Sequence, residues 1–271
     1  MAAPSRRRTP RLVTGEVRRT EQLTPGMTRV VLGGPGLDDF SAGEFTDHYV
    51  KIQFPLKGVD YPEPFDLQRI REELPREQWP VTRTYTVRRW DADRRELWLD
   101  FVVHGSEGIA GPWAVNAKPG DLLHFAGPGG AYAPAPDADW HLLAGDESAL
   151  PAIAAALERL PEGARARALI EIAGPEEEQP LDSAGDVELT WLHRDGTRVG
   201  ERLIEAVRGL DLSGDVHAFV HGEAHFVKEL RTLLRKERGL PKERASISGY
   251  WRLGHNEDAW QATKREFDRP E

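Results

Sequence analysis

The alternation of apolar and polar positions changes character once along this 271-residue chain. Up to about residue 133, apolar residues come in short β-branched and aromatic runs parted by Gly/Pro turns, the pattern of an antiparallel sheet or barrel. It predicts strands over residues 11–20, 28–33, 49–54, 82–90, 96–103 and 122–126. Gly33-Gly34-Pro35-Gly36, Asp91-Ala92-Asp93 and Pro119-Gly120-Asp121 supply turns between them. The proline- and charge-rich stretch 60–80 is expected to be a surface excursion between two strands. Past Ala133-Pro134-Ala135-Pro136-Asp137 the rhythm becomes strand–helix. Strands are expected over 140–144, 167–173, 187–192, 216–220 and 247–251, and helices over 148–160, 201–207 and 225–238. That order implies βαβ units on a mostly parallel sheet. The fold class is therefore β followed by α/β. A basic tail (1–10) is expected to be disordered, followed by an antiparallel barrel domain (11–133), a linker (134–138) and a nucleotide-binding α/β domain (139–271).

Composition narrows what such a chain does. With 39% hydrophobic and 30% charged residues it is globular, and a net charge of −9 removes the electrostatic case for nucleic acid. The chain has no cysteine, so disulfides, thiolate metal sites and cysteine nucleophiles are excluded. No apolar run approaches the roughly 20 residues of a membrane span. The basic start Ser5-Arg6-Arg7-Arg8 has no apolar segment behind it, unlike a signal peptide. A cytoplasmic monomer without membrane insertion is expected.

The chemistry concentrates in three segments. On the strand Val81-Thr82-Arg83-Thr84-Tyr85-Thr86-Val87, Arg83 and Tyr85 fall on one face and Thr84 and Thr86 on the other. A guanidinium fork beside an aromatic ring suits a ligand with phosphate and a flat ring, although such alternation is also that of an ordinary barrel strand. The strand Asp100-Phe101-Val102-Val103-His104-Gly105 then runs into Gly108-Ile109-Ala110-Gly111-Pro112-Trp113-Ala114, a glycine-rich loop entering a helix. Free amides at such an entry attract phosphate. Third, Gly145-Asp146-Glu147-Ser148 stands at the carboxyl end of a strand, where open α/β sheets bind ligands, and Asp146 or Ser148 would also cap the next helix. Gly222-Glu223 follows a later strand in the same manner.

In this order R-T-Y-T, D-F-V-V-H-G, G-P-W-A, A-G-D-E-S-A-L-P and Tyr250-Trp251-Arg252-Leu253-Gly254 resemble the siderophore-interacting protein family, FAD-dependent ferric-siderophore reductases related to ferredoxin–NADP reductases. The resemblance runs from about residue 11 to about residue 258. It implies Arg83 by the FAD phosphates, Tyr85 against the isoalloxazine and Thr86 near flavin N5, with Thr84 also among the residues that hold the FAD. It implies that Asp100, Phe101, Val102 and His104 line the flavin, and that Gly111, Trp113 and Ala114 present amides to the pyrophosphate. Gly145, Asp146, Glu147, Ser148, Gly222 and Glu223 would face the nicotinamide nucleotide. Lys51, Arg252 and Lys264 would form a basic pocket for the ferric siderophore, with a helix over 260–267 capping the flavin or the pocket. Two departures stand out: Trp113 occupies a position expected to be small, and Gly129 stands where the family often has a basic residue.

The loop Glu176-Glu177-Glu178 would repel a 2′-phosphate, which favours NADH over NADPH, whereas Arg194 and Arg198 would favour NADPH. The glutamates are otherwise expected to be solvated. His217, His221 and His225 are spaced by four, but a strand and Gly222 break the helical geometry a metal would need, so no metal site is expected. No protein acid or base is required, and none is assigned. The alternatives are a general flavin or ferric reductase with a protein or quinone acceptor, and a non-catalytic siderophore-binding protein.

Overall fold

The computed structural model describes residues 12–105 and 108–267. Six strands, β1 (Leu12–Thr24), β2 (Met27–Gly33), β3 (Tyr49–Phe54), β4 (Val81–Asp91), β5 (Glu96–Val102) and β6 (Leu122–Gly129), close into an antiparallel barrel of order β1-β2-β5-β4-β3-β6. Alternate residues point inward, so Val30, Leu32, Val50, Ile52, Leu97, Leu99, Phe101 and Phe125 fill the interior. Closure leaves this sheet no free edge.

The excursion between β3 and β4 holds a short helix, α1 (Leu67–Glu73), that hydrophobic periodicity does not reveal. Only Ile70 of α1 is buried. The helix is held by its Asp66 cap, which accepts from the Gln68 and Arg69 amides at 2.7 and 3.1 Å, and by Gln68–Glu72 and Arg69–Glu73 contacts one turn apart. A second short helix, α2 (Ala110–Asn116), follows β5.

The second half is a five-stranded parallel sheet: β7 (Trp140–Gly145), β8 (Arg165–Ile172), β9 (Asp186–His193), β10 (Val216–Glu223) and β11 (Ala245–Trp251), in the order β11-β10-β7-β8-β9. Helices α3 (Leu150–Glu158), α4 (Glu201–Arg208) and α5 (Ala224–Thr232) cover it, and α6 (Glu257–Phe267) closes the described chain. β7 and β10 are nearly continuous apolar runs because both their faces are covered. The strand order reverses between β7 and β10, which puts the switch-point crevice at Gly145-Asp146 and Gly222-Glu223. The helix expected over 225–238 ends its regular turns at Thr232 and widens into one π-turn over Leu233–Glu237.

The barrel and the sheet are stitched together. Glu177 accepts from Thr24 Oγ1 at 2.5 Å and from the Gly26 amide at 2.8 Å, at the β1–β2 turn. Beside it Gln179 Nε2 lies 3.3 Å from the sulfur of Met27, itself only 2% exposed. Arg88 of β4 pairs with Glu158 of α3. The expectation of a solvated glutamate run therefore fails at Glu177, a buried carboxylate spent on a hydroxyl and an amide of the barrel.

Candidate functional site

On β4 the expected alternation holds. Tyr85 turns to the barrel side, its ring centroid 4.3 Å from that of Phe101, and burial pushes its phenol pKa up. Thr84 and Thr86 face the other way, toward the sheet's last elements. The Thr84 amide donates to both Glu257 oxygens at 3.1 Å, and Thr84 Oγ1 donates to Glu257 Oε1 at 2.7 Å. Thr86 is buried and hydrogen-bonds the Tyr250 phenol. The Arg83 guanidinium, with only 16% of its side chain exposed, donates to the Thr82 carbonyl at 2.7 Å and to Asp258 at 3.3 Å. One guanidinium, one amide and one hydroxyl thus converge on anionic oxygens. This donor set is what a phosphate needs, and carboxylates fill the role here.

β5 and α2 correct three expectations. Asp100 is engaged within the barrel wall: its carboxylate forms a two-pronged pair with Arg29 at 2.7 and 2.8 Å, on the face where Arg29 covers Trp98. Period-two alternation places it opposite Phe101, which lies in the barrel core. The Trp113 amide donates to the Ile109 carbonyl at 3.1 Å and is not free, and Ala114 lies beyond the first turn, where amides are used within the helix. Gly111 lies in the first turn, and a Cβ there would approach the Val102 carbonyl to 3.3 Å. Trp113 instead contributes its ring, packed against Phe54 and Phe101 with centroids 5.7 Å apart in each case. Val102 is half-buried against the α/β core, and His104 is exposed just past β5.

At the crevice the carboxylates are braces. Asp146 is fully buried, and its Oδ1 accepts from the Ser148 amide at 2.9 Å and the Ser148 hydroxyl at 2.5 Å. Its Oδ2 accepts from the Glu223 amide at 2.9 Å and the Trp251 indole at 2.8 Å. One side chain therefore ties the carboxyl ends of β7, β10 and β11. Burial, then nearby Glu147, pushes its pKa to about 6 against the pull of those hydrogen bonds. Glu223 caps α5 through the His225 and Phe226 amides and holds the Leu253 amide at 3.1 Å. Gly145 and Gly222 make room: a Cβ at 145 would lie 2.6 Å from the His221 carbonyl, and one at 222 would lie 2.7 Å from Asp146 Cγ.

Three of the five charged residues invoked for nicotinamide choice are engaged within the fold. Glu177 turns to the barrel, and Glu178 meets His193 at 2.8 Å. Arg194 pairs with Glu147 and lies 3.7 Å from Glu171, a buried carboxylate that accepts the Gly200 and Leu203 amides at the start of α4. Arg198 is exposed and joins no ion pair among the described residues.

The histidines spaced by four occupy separate environments. His217 stacks on Tyr132 and accepts from the Ala135 amide, His221 stacks on Phe219, and His225 joins Glu223 on α5. Burial lowers the pKa of His221 to about 3 and of His141 to about 4. Each stays neutral in the fold while the unfolded chain takes up a proton near pH 6.5, so their contribution is complete above pH 6.5 and is lost as pH falls toward 4. Asp146 acts in the opposite sense between pH 6 and 4, because its folded pKa is raised. The net expectation is a loss of about 1.4 kcal/mol per pH unit for each uncompensated proton. Urea midpoints at pH 7, 5.5 and 4.5 read the slope. His221→Gln should flatten it, and an unchanged slope would clear His221 of the effect.

Comparison with known proteins decides the family. The profile of the siderophore-interacting FAD-binding domain matches residues 16–132, and that of the siderophore-interacting protein matches residues 138–254. The chain belongs to the siderophore-interacting protein family. Among relatives of this siderophore-interacting protein, the ferric vibriobactin reductase ViuB of Vibrio cholerae is 33% identical over 245 residues, covering 89% of this chain and 90% of ViuB. The NADPH-dependent ferric-chelate reductase of Escherichia coli is 32% identical, over 87% of this chain and 91% of its own. The crystal structure of a siderophore utilization protein from T. fusca superimposes with a TM-score of 0.78 at 38% identity, covering 91% of this chain and 94% of that one. The barrel followed by a parallel sheet is the ferredoxin reductase-like arrangement. No helix among the described residues is long and apolar enough to cross a membrane.

The three basic residues expected around the chelate sit on β3, after β11 and on α6. Lys51 is exposed on β3 and pairs in register with Thr84. Arg252 lies over Phe267, 4.8 Å from the ring centroid, and Lys264 donates to Ser248 Oγ at 3.0 Å. At Gly129 a Cβ would fall 2.5 Å from Cζ of Tyr49, so the Tyr49 ring occupies the space a basic side chain would take. Sequence reasoning passed over Tyr250 as a β4 partner, and Glu257 and Asp258 altogether. The α6 pair had a readable signal, since Asn256 before two acidic residues is a cap followed by an acidic first turn. Asn256 Oδ1 does accept the Ala259 amide at 2.8 Å.

Proposed function

We propose that this protein is an oxidoreductase that binds FAD along β4 and passes electrons from a nicotinamide nucleotide to ferric iron held in a siderophore. What carries the reading is the convergence of the Arg83 guanidinium with the Thr84 amide and hydroxyl on anionic oxygens, within a stretch that matches an FAD-binding domain. Arg83 and Thr84 hold the flavin phosphates, Gly111 adds an amide, and the Tyr85, Phe101 and Trp113 rings give the site its apolar wall. Thr86 and Tyr250 join the two halves of the protein beside it. Asp146 fixes Trp251 and with it the tail that follows β11. The barrel, 11–133, serves the flavin, and 139–271 serves the nicotinamide nucleotide.

FAD, when bound, supplies the exchange between a two-electron hydride donor and a one-electron acceptor. One nicotinamide donor, losing two electrons and releasing one proton, reduces two ferric ions to ferrous. Ferrous iron is held far more weakly than ferric iron by hard oxygen ligands, so reduction frees it. Glu177 is turned to the barrel turn and Glu178 to His193, and Arg198 remains available to a 2′-phosphate. With a relative named as NADPH-dependent, this favours NADPH over the NADH that the acidic loop suggested.

A visible spectrum of the purified protein tests the reading. Flavin bands should be present, should bleach under anaerobic NADPH, and should return when a ferric siderophore is added, with ferrous iron trapped by a chromogenic chelator. A protein that stays colourless after FAD is supplied would be a siderophore binder and not a reductase.

A further inference from the structure

The first turn of α6 raises a matter of occupancy. Glu257 is half-buried and takes the Thr84 amide and hydroxyl together, while Asp258 reaches Arg83. Arg83 and Thr84 are the β4 residues whose donors meet these carboxylates. The helix bearing the two carboxylates is firmly seated: Trp260 is 1% exposed and lies over Gly249, where a Cβ would stand 3.0 Å from the indole Cζ2. Lys264 is tied to Ser248. The segment leading into it, residues 253–256, is exposed and includes Gly254 at φ +76°.

We propose that Glu257 and Asp258 act as an internal anion, holding the phosphate donors of β4 in the flavin-free protein and giving them up when the flavin phosphates arrive. This rests on the assignment of Arg83 and Thr84 to phosphate. A carboxylate and a phosphate cannot both take the same guanidinium N–H and the same amide, because each donor meets one anion and like charges in contact repel. Without an internal anion, Arg83 would sit in the same seam with nothing to neutralise it, at considerable desolvation cost. The exchange needs only that the two side chains swing away while Trp260 keeps the helix seated. Burial raises the Glu257 pKa, the direction expected of a carboxylate poised to leave. Flavin affinity is in this way set from the C-terminal helix, in competition with it.

The test compares the wild type with Glu257→Gln and with the double variant carrying Asp258→Asn as well. Each full-length protein is stripped of flavin and titrated with FAD and with riboflavin by fluorescence. Riboflavin has the ring system but no phosphate. The double variant should bind FAD about tenfold more tightly, with riboflavin affinity unchanged. FAD affinity that is unchanged or weakened overturns the proposal. An equal gain for riboflavin also overturns it, since α6 would then be a steric cover and not a competing anion. Arg83→Ala run in parallel separates the two layers: if it leaves FAD binding intact, the phosphate assignment itself has failed.

Discussion

Arg83→Ala should leave the protein folded and largely without flavin. The guanidinium is mostly buried on β4 and makes one bond to a neighbouring carbonyl and one to a carboxylate in the place assigned to phosphate. Charge-assisted hydrogen bonds of this type contribute roughly 1.5–3 kcal/mol each. Losing the fork should therefore weaken FAD by about 30- to 100-fold. Arg83→Lys should recover part of that, because it restores the charge but not the paired geometry. Flavin per chain after gel filtration, read against a thermal melt that shows the barrel intact, provides the measurement. Full flavin retention in Arg83→Ala would put the phosphates somewhere other than β4.

Asp146→Ala should produce the largest loss of stability. Its carboxylate satisfies four donors from three separate segments: the Ser148 amide and hydroxyl, the Glu223 amide and the Trp251 indole. Alanine removes the acceptor of all four, three of them on half-buried residues, which should cost about 3–5 kcal/mol and lower Tm by on the order of 10 °C. Asp146→Asn keeps one acceptor oxygen but sets an NH2 group against either the two Ser148 donors or the Glu223 amide and Trp251 indole together. It should therefore cost less and still shift Trp251 fluorescence. A melt within a degree or two of wild type for Asp146→Ala would mean that β7, β10 and β11 do not need this brace.

Much of the fold was legible because each half repeats one period. Apolar alternation marked β2 to β6, and the strand–helix rhythm after residue 139 marked the parallel sheet. The misses share a physical origin. α1 has one buried side chain, so its helix is written in a cap and in i,i+4 pairs and not in an apolar stripe. Of the site, the alternation of Arg83, Thr84, Tyr85 and Thr86 was visible, because it depends only on neighbours along a strand. The commitments of Asp100 to Arg29 and of Asp146 to Trp251 join residues 71 and 105 positions apart, and nothing local announces them. Glu177 is the clearest instance. It is one glutamate of three in an acidic loop, distinguished only by where the β1–β2 turn arrives in space.

The clasp at that turn also has a bearing on chemical durability. On the proposed reading this protein releases ferrous iron, which in the presence of oxygen gives rise to peroxide and radicals. Sulfur is what such species oxidise most readily in a protein, thiols to sulfenic and higher acids and thioethers to sulfoxide. The chain has no cysteine and two methionines, and Met27 is sealed between the barrel turn and Gln179 at 2% exposure. Among the described residues no sulfur atom faces solvent, so on that reading this part of the molecule offers such species no exposed sulfur.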